Sequence, residues 1–293
     1  DARRDAAEAR RADERRAALL ALRDDRPVKA VQTLDGKVDL TQAVSQLHAA
    51  PTGTAIVGGD LSANGTVGSG AGVVKPDEMF VLLDGAGNPA LLHHTDGGFR
   101  YLRGGADLVE QGATIIMDGT TAVPVRWGIY GGGLIVDGHG TRAVRYFHFA
   151  SAPDTPLVAP VDMAYKVVAG ATSPITDTGA VGGAVASIDI RLNGSAQLVK
   201  YDLVLTDALG RTWRTHLDGP VSLAQFAVGN GAALTGTCSG GTCGQLPLGV
   251  GVPGGSYAHG VPIGPTGQGL LSSYTLHTVA GGHGVTGSLV ARP

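Results

Sequence analysis

Ser256 and His259 come nearest to a catalytic pair in this chain. They lie in the segment GGSYAHGVPIG, residues 254–264, where glycines stand on both sides of the serine and the histidine. A serine activated by a nearby imidazole is the arrangement of a nucleophile and its general base. If the segment is a β-strand, however, successive side chains alternate between its two faces, so Ser256 and His259 point to opposite sides. The spacing therefore predicts a glycine-rich strand and no catalytic pair.

Other residues that could do chemistry are explained by structural roles. The sequence contains no G-x-S-x-G turn, no G-x-x-x-x-G-K-[ST] phosphate loop and no H-E-x-x-H pair. Aspartates that precede glycine, such as Asp118 and Asp137, fit turns. The adjacent His93 and His94 would point to opposite faces of a strand, so they cannot share a metal ion without a bulge. His148 lies between two phenylalanines and is expected to be a hydrogen-bonded scaffold residue. We expect no catalytic residue, no metal and no cofactor.

Cys238 and Cys243 are the two cysteines, in the segment TGTCSGGTCGQ. The small, flexible residues between them let the two sulfurs meet, so we expect a disulfide. A reduced or metal-bound pair is the alternative, but two cysteines do not complete a zinc shell and no histidine has the usual spacing. A disulfide implies an oxidising compartment outside the cytoplasm.

The composition limits the class of protein. The 293 residues include 47 glycines but only 5 phenylalanines, 7 tyrosines and 2 tryptophans, which fits many short strands joined by glycine turns. A net charge of -3 argues against a nucleic-acid partner, which requires a clustered basic excess. No apolar run reaches the roughly 20 residues of a transmembrane helix. A basic-then-apolar leader is absent from the opening residues, so either a leader has been removed or the chain is a fragment.

Five regions follow one another along the chain. Residues 1–26 are rich in charge and alanine and predict a solvent-exposed helix that acts as a spacer, with a docking or coiled-coil helix as the alternative. Residues 27–52 read as a linker with one short helix, LTQAVSQLH, capped by Asp39. Residues 53–150 are β-rich. Residues 151–162, which begin SAPDTPLVAP, form a proline-rich connection that leaves no room for a central strand. Residues 163–293 form the last region.

This last region predicts a small antiparallel β-barrel. About eight candidate strands separated by tight turns indicate an up-and-down barrel. The strands are DMAYKVVAG, GAVASIDIRLN, LVKYDLVLTDA, RTWRTHLDGPVSL, AALTGTC with its return, SYAHGVPIG, GLLSSYTLHTV and GVTGSLVARP. In LVKYDLVLTD, alternation places Leu198 and Lys200 on one face and Tyr201 on the other. The expected class is therefore mainly β, with an N-terminal charged α-helix, a β-rich middle domain and a C-terminal barrel.

The segments YDLVLTDALGRTW, LTGTCSGGTCG, GLLSSYTL and VTGSLVARP resemble a known module. It is the eight-stranded barrel of the transferrin-binding protein B type, found in bacterial envelope lipoproteins and in some proteins with a FecR domain. The segment VRWGIYGGG, followed by YFHFASAPDTP, is similar to the lead-in of that barrel in the FecR-linked proteins. The resemblance covers about residues 123–293 and implies a bacterial envelope location and a non-catalytic barrel.

The sequence thus predicts a non-catalytic protein of the bacterial envelope, in the periplasm, at the outer-membrane surface or secreted, that acts as a protein-binding or an assembly and scaffold module. Its expected partner is another envelope protein or a second copy of itself, bound through loops and the outer surface of the strands. One alternative is a carrier of a small apolar ligand inside the barrel; a hydrolase is a weaker one. Large inward side chains would indicate a filled barrel, whereas many inward glycines and alanines would indicate a hollow one.

Overall fold

Strands make up most of the computed structural model, which confirms the mainly β class. The structure describes residues 48–49, 54–74, 79–83, 89–94, 100–102, 107–132, 134–137, 140–155, 157–227, 230–250, 254–279 and 282–293. The charged helix predicted for residues 1–26 and most of the linker to residue 52 lie outside these ranges. His48, the last residue of the short helix predicted in that linker, lies in a strand instead.

Ten of the described strands form the first sheet, and every pairing in it is antiparallel. They are β1 (His48–Ala49), β2 (Thr54–Ser62), β3 (Val67–Val74), β4 (Met79–Leu83), β5 (Pro89–His94), β6 (Arg100–Leu102), β7 (Asp107–Asp118), β8 (Thr121–Gly131), β9 (Leu134–Asp137) and β10 (Gly140–Pro153). The order is β1-β4-β5-β6-β9-β10-β2-β3; β8 also pairs with β10, and β7 pairs with β8. The long strand β10 therefore organises the sheet.

The proline-rich connection begins later than the sequence predicts. Strand β10 continues through Ser151, which pairs with both β2 and β8, to Pro153. The expectation that residues from 151 onward leave no room for a central strand is therefore wrong at Ser151. Beyond it β8 no longer pairs with β10, and Pro153, which has no N–H to donate, is tolerated at the strand end. The irregular connection starts at Asp154, and the division into domains stays a prediction.

The remaining strands form the second sheet, and one short helix lies among them in the chain. They are β11 (Met163–Tyr165), β12 (Val167–Ala171), β13 (Ile175–Thr176), β14 (Gly183–Asn193), β15 (Gln197–Asp207), β16 (Thr212–Leu217), β17 (Val221–Ser222), helix α1 (Leu223–Ala227), β18 (Ala232–Gly240), β19 (Gly244–Pro247), β20 (Tyr257–Ile263), β21 (Gly269–His277) and β22 (Gly284–Arg292). The strand order is β11-β14-β15-β16-β18-β20-β21-β22-β12.

This order closes the sheet into the predicted barrel. Strands β11 and β12 are separated by Lys166 alone, and β11 pairs with β14 while β12 pairs with β22. Counted as one bent strand, they complete a ring with β14, β15, β16, β18, β20, β21 and β22. The short strands β13, β17 and β19 pair with members of this ring. Closure removes unpaired edges from the ring.

Strand β15 departs from the strict alternation expected of it. Leu198 and Tyr201 are both buried, although the sequence predicts opposite faces for them. The pairing register with β14 shifts between Leu198 and Lys200, so Val199 is an extra residue on β15. Such a β-bulge turns one residue out of the ladder and resets the alternation. The bulge places Leu198 in the barrel interior together with Tyr201.

The first sheet packs against the outer wall of the barrel formed by β20, β21 and β22. We call this contact the junction. An apolar cluster fills one part of it: Ala55, Val57, Ile116, Val123, Val125, Ala150, Ala152, Val261, Ile263, Leu271 and Val290. Alternate residues of the same three barrel strands, such as Leu270 and Tyr274, belong to the interior cluster. Strands β20 to β22 are therefore buried on both faces.

Candidate interaction surface

The structure gives Ser256 and His259 different surroundings. Ser256 lies just before β20; its hydroxyl donates to the carbonyl of His277 at 3.2 Å and accepts from the N–H of His277 at 3.0 Å. The His259 ring packs edge-on against Tyr257, with centroids 5.5 Å apart. A Cβ placed on Gly231 would lie 2.9 Å from the same ring. These separate contacts agree with the opposite orientations that strand alternation predicts.

His148 is held inside the junction by two hydroxyl groups of the barrel. Its Nδ1 lies 2.7 Å from the Oγ of Ser288, and its Nε2 lies 2.7 Å from the Oγ1 of Thr286. The side chain is fully buried. Burial lowers the pKa of His148 from 6.5 to about 3, because the charged imidazolium loses its hydration. His148 is therefore a neutral, hydrogen-bonded scaffold residue at neutral pH.

The side chains of β7 that face the barrel fasten this strand to it. Glu110 accepts a hydrogen bond from the N–H of Ser173 at 2.9 Å. At the other end of β7, Asp118 accepts from both the N–H and the hydroxyl of Thr266, each at 2.7 Å. Ile116, between them, belongs to the junction cluster. The even-numbered side chains of β7 thus point toward the barrel.

Trp127 of β8 fills the space between the two sheets beside β7. A Cβ on Gly112, in β7, would lie 2.3 Å from its ring, and a Cβ on Gly170, in β12, would lie 2.5 Å from it. No side chain larger than hydrogen fits at either glycine while the indole stays in place. The indole therefore packs between glycines of the first sheet and of the barrel.

Because Ile116 and Asp118 face the barrel, the residues that alternate with them on β7 face outward, and Val109 is an extra, outward residue at a β-bulge between Leu108 and Glu110. Val109, Ile115 and Met117 are 55%, 61% and 56% exposed. In the pairing with β8, Ile115 lies opposite Pro124 and Met117 opposite Ala122, and both of these β8 residues are exposed. We call this set, together with the exposed Ala113, the β7–β8 face. An apolar surface on an edge strand is a candidate site for binding another protein.

The barrel wall formed by β14, β15 and β16, which lies across the ring from β20, β21 and β22, is charged. Lys200 lies 2.5 Å from Asp189 and 3.2 Å from Asp202. The Nδ1 of His216, whose side chain is 66% exposed, lies 2.9 Å from Asp202. Side-chain hydrogen bonds to Asp189 and Asp202 raise the pKa of Lys200. Such exposed ion pairs contribute little to stability, and this wall differs sharply from the β7–β8 face.

Large side chains fill the barrel interior. Those that are less than 2% exposed include Tyr165, Tyr201, Trp213, Phe226 and Tyr274. The Tyr201 hydroxyl bonds to the Oγ of Ser272 at 2.9 Å, and burial raises the pKa of Tyr201, which stays neutral. Gly260 makes room for the Phe226 ring, which would lie 2.4 Å from a Cβ at that position. By the criterion of large inward side chains, the barrel is filled.

A buried ion pair holds the barrel rim at the β15–β16 hairpin. The Nε of Arg211 donates to the Oδ2 of Asp207 at 2.6 Å, and the same oxygen accepts from the Nε1 of Trp213 at 2.9 Å. The Nη2 of Arg211 reaches Asp177 and the carbonyl of Gly284, each at 3.3 Å. These contacts join the hairpin to β22 and to the loop after β13, a structural role that the sequence did not indicate.

Cys238 and Cys243 form a disulfide, with their Cα atoms 5.8 Å apart. Cys238 lies in β18, and Cys243 directly precedes β19, which pairs back onto β18. Both cysteines are buried in the interior cluster of the barrel. The bridge therefore closes the β18–β19 hairpin at the point where the sequence predicts a pair.

The sequence raised His93 and His94 as possible metal ligands and Asp118 as a turn residue. His93 and His94 lie in β5, outside the set of residues whose side chains are described. Gly119 adopts a positive φ of 60° in the tight turn between β7 and β8. Across the part of the chain that the structure describes, no three His, Cys, Asp or Glu side chains form a group able to hold a metal ion. Within that part, no helix is long and apolar enough to cross a membrane.

No family model and no curated protein matches this chain. Solved structures that match include two of the vaccine antigen Transferrin Binding Protein B from Haemophilus parasuis, one a double and one a single mutant. They have TM-scores of 0.36 and 0.31, are 14% and 13% identical, and cover 82% and 81% of this chain. This chain spans 44% and 45% of their lengths. A DUF3598-family protein of unknown function from Nostoc punctiforme matches 83% of this chain and 96% of its own, with a TM-score of 0.19 and 8% identity.

Proposed function

We propose that this protein is a non-catalytic binding module of the bacterial cell envelope, with the β7–β8 face as its contact surface for a protein partner. The observation that carries the proposal is the exposure of Val109, Ile115 and Met117 on one side of a strand whose other side is fastened to the barrel. A rigid apolar surface loses little conformational entropy on binding, which favours association.

The extracytoplasmic location is part of the same proposal. Its support is the Cys238–Cys243 disulfide, which persists in oxidising compartments, and the sequence resemblance to the barrel of envelope lipoproteins. A link to a FecR domain would fit the same resemblance. The partner is another envelope protein or a second copy of this chain.

The alternative of a ligand carrier has less support. Five large inward side chains, one of them the helix-borne Phe226, occupy the interior that a small apolar molecule would need. Native mass spectrometry of the purified protein separates the two functions, because a carrier gives a reproducible added mass and a filled barrel gives the mass of the chain alone. The hydrolase alternative is weaker still, since Ser256 bonds to backbone and is buried.

Photocrosslinking tests the binding proposal directly. A benzoylphenylalanine placed at Ile115 should crosslink to one discrete species in cells, whereas the same group at His216, on the charged wall, should not. A product at twice the mass of the chain identifies a second copy, and any other discrete mass identifies a different envelope protein. Equal crosslinking at both positions, or none at Ile115, contradicts the proposal.

Substitutions give a second test, in which Ile115→Lys changes the proposed contact surface and His216→Lys is the matched control. Ile115→Lys places a charge on the β7–β8 face without touching the junction, because Ile115 points to solvent. We expect partner binding, measured with the crosslinked species once it is identified, to weaken at least about tenfold, while the urea midpoint stays unchanged. His216→Lys should change neither quantity.

A further inference from the structure

The junction contains an island of polar side chains between two apolar regions. On the barrel side, Tyr257, Thr275 and Thr286 lie side by side across β20, β21 and β22. His259, Ser273 and Ser288 form the neighbouring row on the same strands. The rows are flanked by the junction cluster on one side and by the cluster of Leu61, Val67, Ile129 and Ile175 on the other. His148 of the first sheet reaches into this island and bonds to one residue of each row.

The hydrogen bonds around His148 fit a neutral ring. The Thr286 hydroxyl lies 2.8 Å from the carbonyl of Tyr274 and 3.3 Å from that of Gly68, and when it donates its one proton to either carbonyl it accepts from His148. In that arrangement Nε2 of His148 carries the hydrogen, and Nδ1 accepts from the hydroxyl of Ser288. This arrangement satisfies a neutral imidazole on both nitrogens and joins β10 to β22.

The hydrogen-bond partners of His148 are the hydroxyls of Ser288 and Thr286, and neither is a carboxylate that could pair with a charged imidazolium. In the island, β20 contributes Tyr257 and His259, while β21 and β22 contribute hydroxyls. The other titratable side chains described on these elements and on β2, β8 and β10 are Asp60, Arg126, Tyr130, Arg145, Tyr146, Tyr274 and the exposed Arg292. Of these, Asp60 is buried, and its Oδ1 and the Tyr257 hydroxyl both lie within 4 Å of the position of a Cβ on Gly68; burial is the cause of the lowered pKa of His148. His277, at the far end of β21, is half-buried near Val67, and burial lowers its pKa as well.

We propose that the junction is an acid-sensitive latch, in which the neutral ring of His148 joins the first sheet to the barrel and uptake of a proton by the exposed ring favours separation of the two. A proton on His148 in the closed junction would be a buried charge hydrogen-bonded to two hydroxyl groups and to no carboxylate, which is costly. In the open state the ring is hydrated and accepts the proton freely. This latch is independent of the partner that binds the β7–β8 face.

The expected size of the effect follows from linkage. Burial lowers the pKa of His148 from 6.5 to about 3 in the closed junction, and the open state keeps the ordinary value. Between these two values only the open state binds the proton. The ratio of open to closed junctions therefore rises by about tenfold for each pH unit below 6.5.

The two tryptophans of the chain report on the junction and on the barrel separately. Trp127 packs between Gly112 of the first sheet and Gly170 of the barrel, whereas Trp213 is fully buried inside the barrel. With 5-fluorotryptophan in the intact protein, ¹⁹F NMR gives one resonance for each, assigned with Trp127→Phe. From pH 7.5 to 4.5 we expect a second Trp127 signal that grows by about tenfold per pH unit once opening is detectable, while the Trp213 resonance stays unchanged.

His148→Gln provides the matched variant, because an amide has both a donor and an acceptor for the two hydroxyls but does not titrate. We expect the acid-dependent Trp127 signal to disappear in this variant and to persist in His216→Gln, which changes an exposed histidine. The proposal is overturned if His148→Gln keeps the pH response of the wild type. It is also overturned if the wild type shows no second Trp127 signal down to pH 4.5, or if its Trp127 and Trp213 signals change together. These readings need no variant and decide the question even if His148→Gln does not fold.

Discussion

The ring of His148 and the hydroxyl of Ser288 lie 2.7 Å apart although the two residues are 140 positions apart in the chain. The contact joins the central strand of the first sheet to the last strand of the barrel. It replaces hydration for a side chain that is otherwise fully enclosed. Long-range polar contacts of this kind fix how the two sheets meet, because a buried polar group is costly unless it is hydrogen-bonded.

Removal of His148 should destabilise the protein. His148→Ala leaves a void at the junction and deprives Ser288 and Thr286 of a partner. We expect the free energy of unfolding in urea at pH 8 to fall by about 2–4 kcal/mol. His216→Ala, on the exposed wall, should change it by less than about 0.5 kcal/mol. A loss of similar size in both variants would contradict the role assigned to His148.

The stability contributed by His148 should depend on pH in a defined direction. Its pKa is lowered in the native state, so the unfolded chain takes up a proton below pH 6.5 and the native protein does not until about pH 3. This contribution is fully present above pH 6.5 and is lost as the pH falls. Relative to His148→Gln, the wild type should lose up to about 1.4 kcal/mol per pH unit in that window, measured by urea unfolding. Parallel pH profiles for the two proteins would contradict this assignment.

A methyl group at Gly170 should disturb the packing of Trp127. A Cβ there would lie 2.5 Å from the indole, closer than atoms approach without a shift. We expect Gly170→Ala to lower the free energy of unfolding by about 1–3 kcal/mol and to red-shift the fluorescence of Trp127. The control is Gly194→Ala, because a Cβ at Gly194 meets nothing within 4 Å; it should leave both measurements unchanged.

Asp118 and Thr266 should be energetically coupled. Asp118 accepts two hydrogen bonds from Thr266, one from the backbone and one from the hydroxyl. In a double-mutant cycle of Asp118→Ala and Thr266→Val, we expect an interaction energy of about 0.5–3 kcal/mol by urea unfolding. The same cycle with Asp218→Ala, an exposed carboxylate, should give additive effects. Additivity in both cycles would show that the contact does not fasten β7 to the barrel.

The disulfide should be intact in the purified protein and should contribute modestly to stability. Thiol titration of the unfolded, unreduced chain should detect no free thiol, since Cys238 and Cys243 are bonded to each other. The closed loop is short, so reduction should lower the free energy of unfolding by about 2 kcal/mol. Detection of two thiols per chain would remove the support that the bridge gives to an oxidising location.

Much of the barrel is predictable from local sequence. The predicted strand GAVASIDIRLN coincides with β14 at both ends, because alternating side chains and glycine turns are local signals. The same period of two predicts opposite orientations for Ser256 and His259. The pairing of Cys238 with Cys243 follows from their closeness in the chain. Each of these features depends only on residues a few positions apart.

Other features depend on residues that meet only after folding. The bulge at Val199 was missed because a single inserted residue does not change the hydrophobic pattern enough to be seen. Ser151 belongs to a central strand because β2 and β8 supply its neighbours. The sequence places His148 on an aromatic strand and Ser288 in a strand at the other end of the chain. Only the packing of the first sheet on the barrel brings them together, since the partner of a buried polar group is set by long-range geometry.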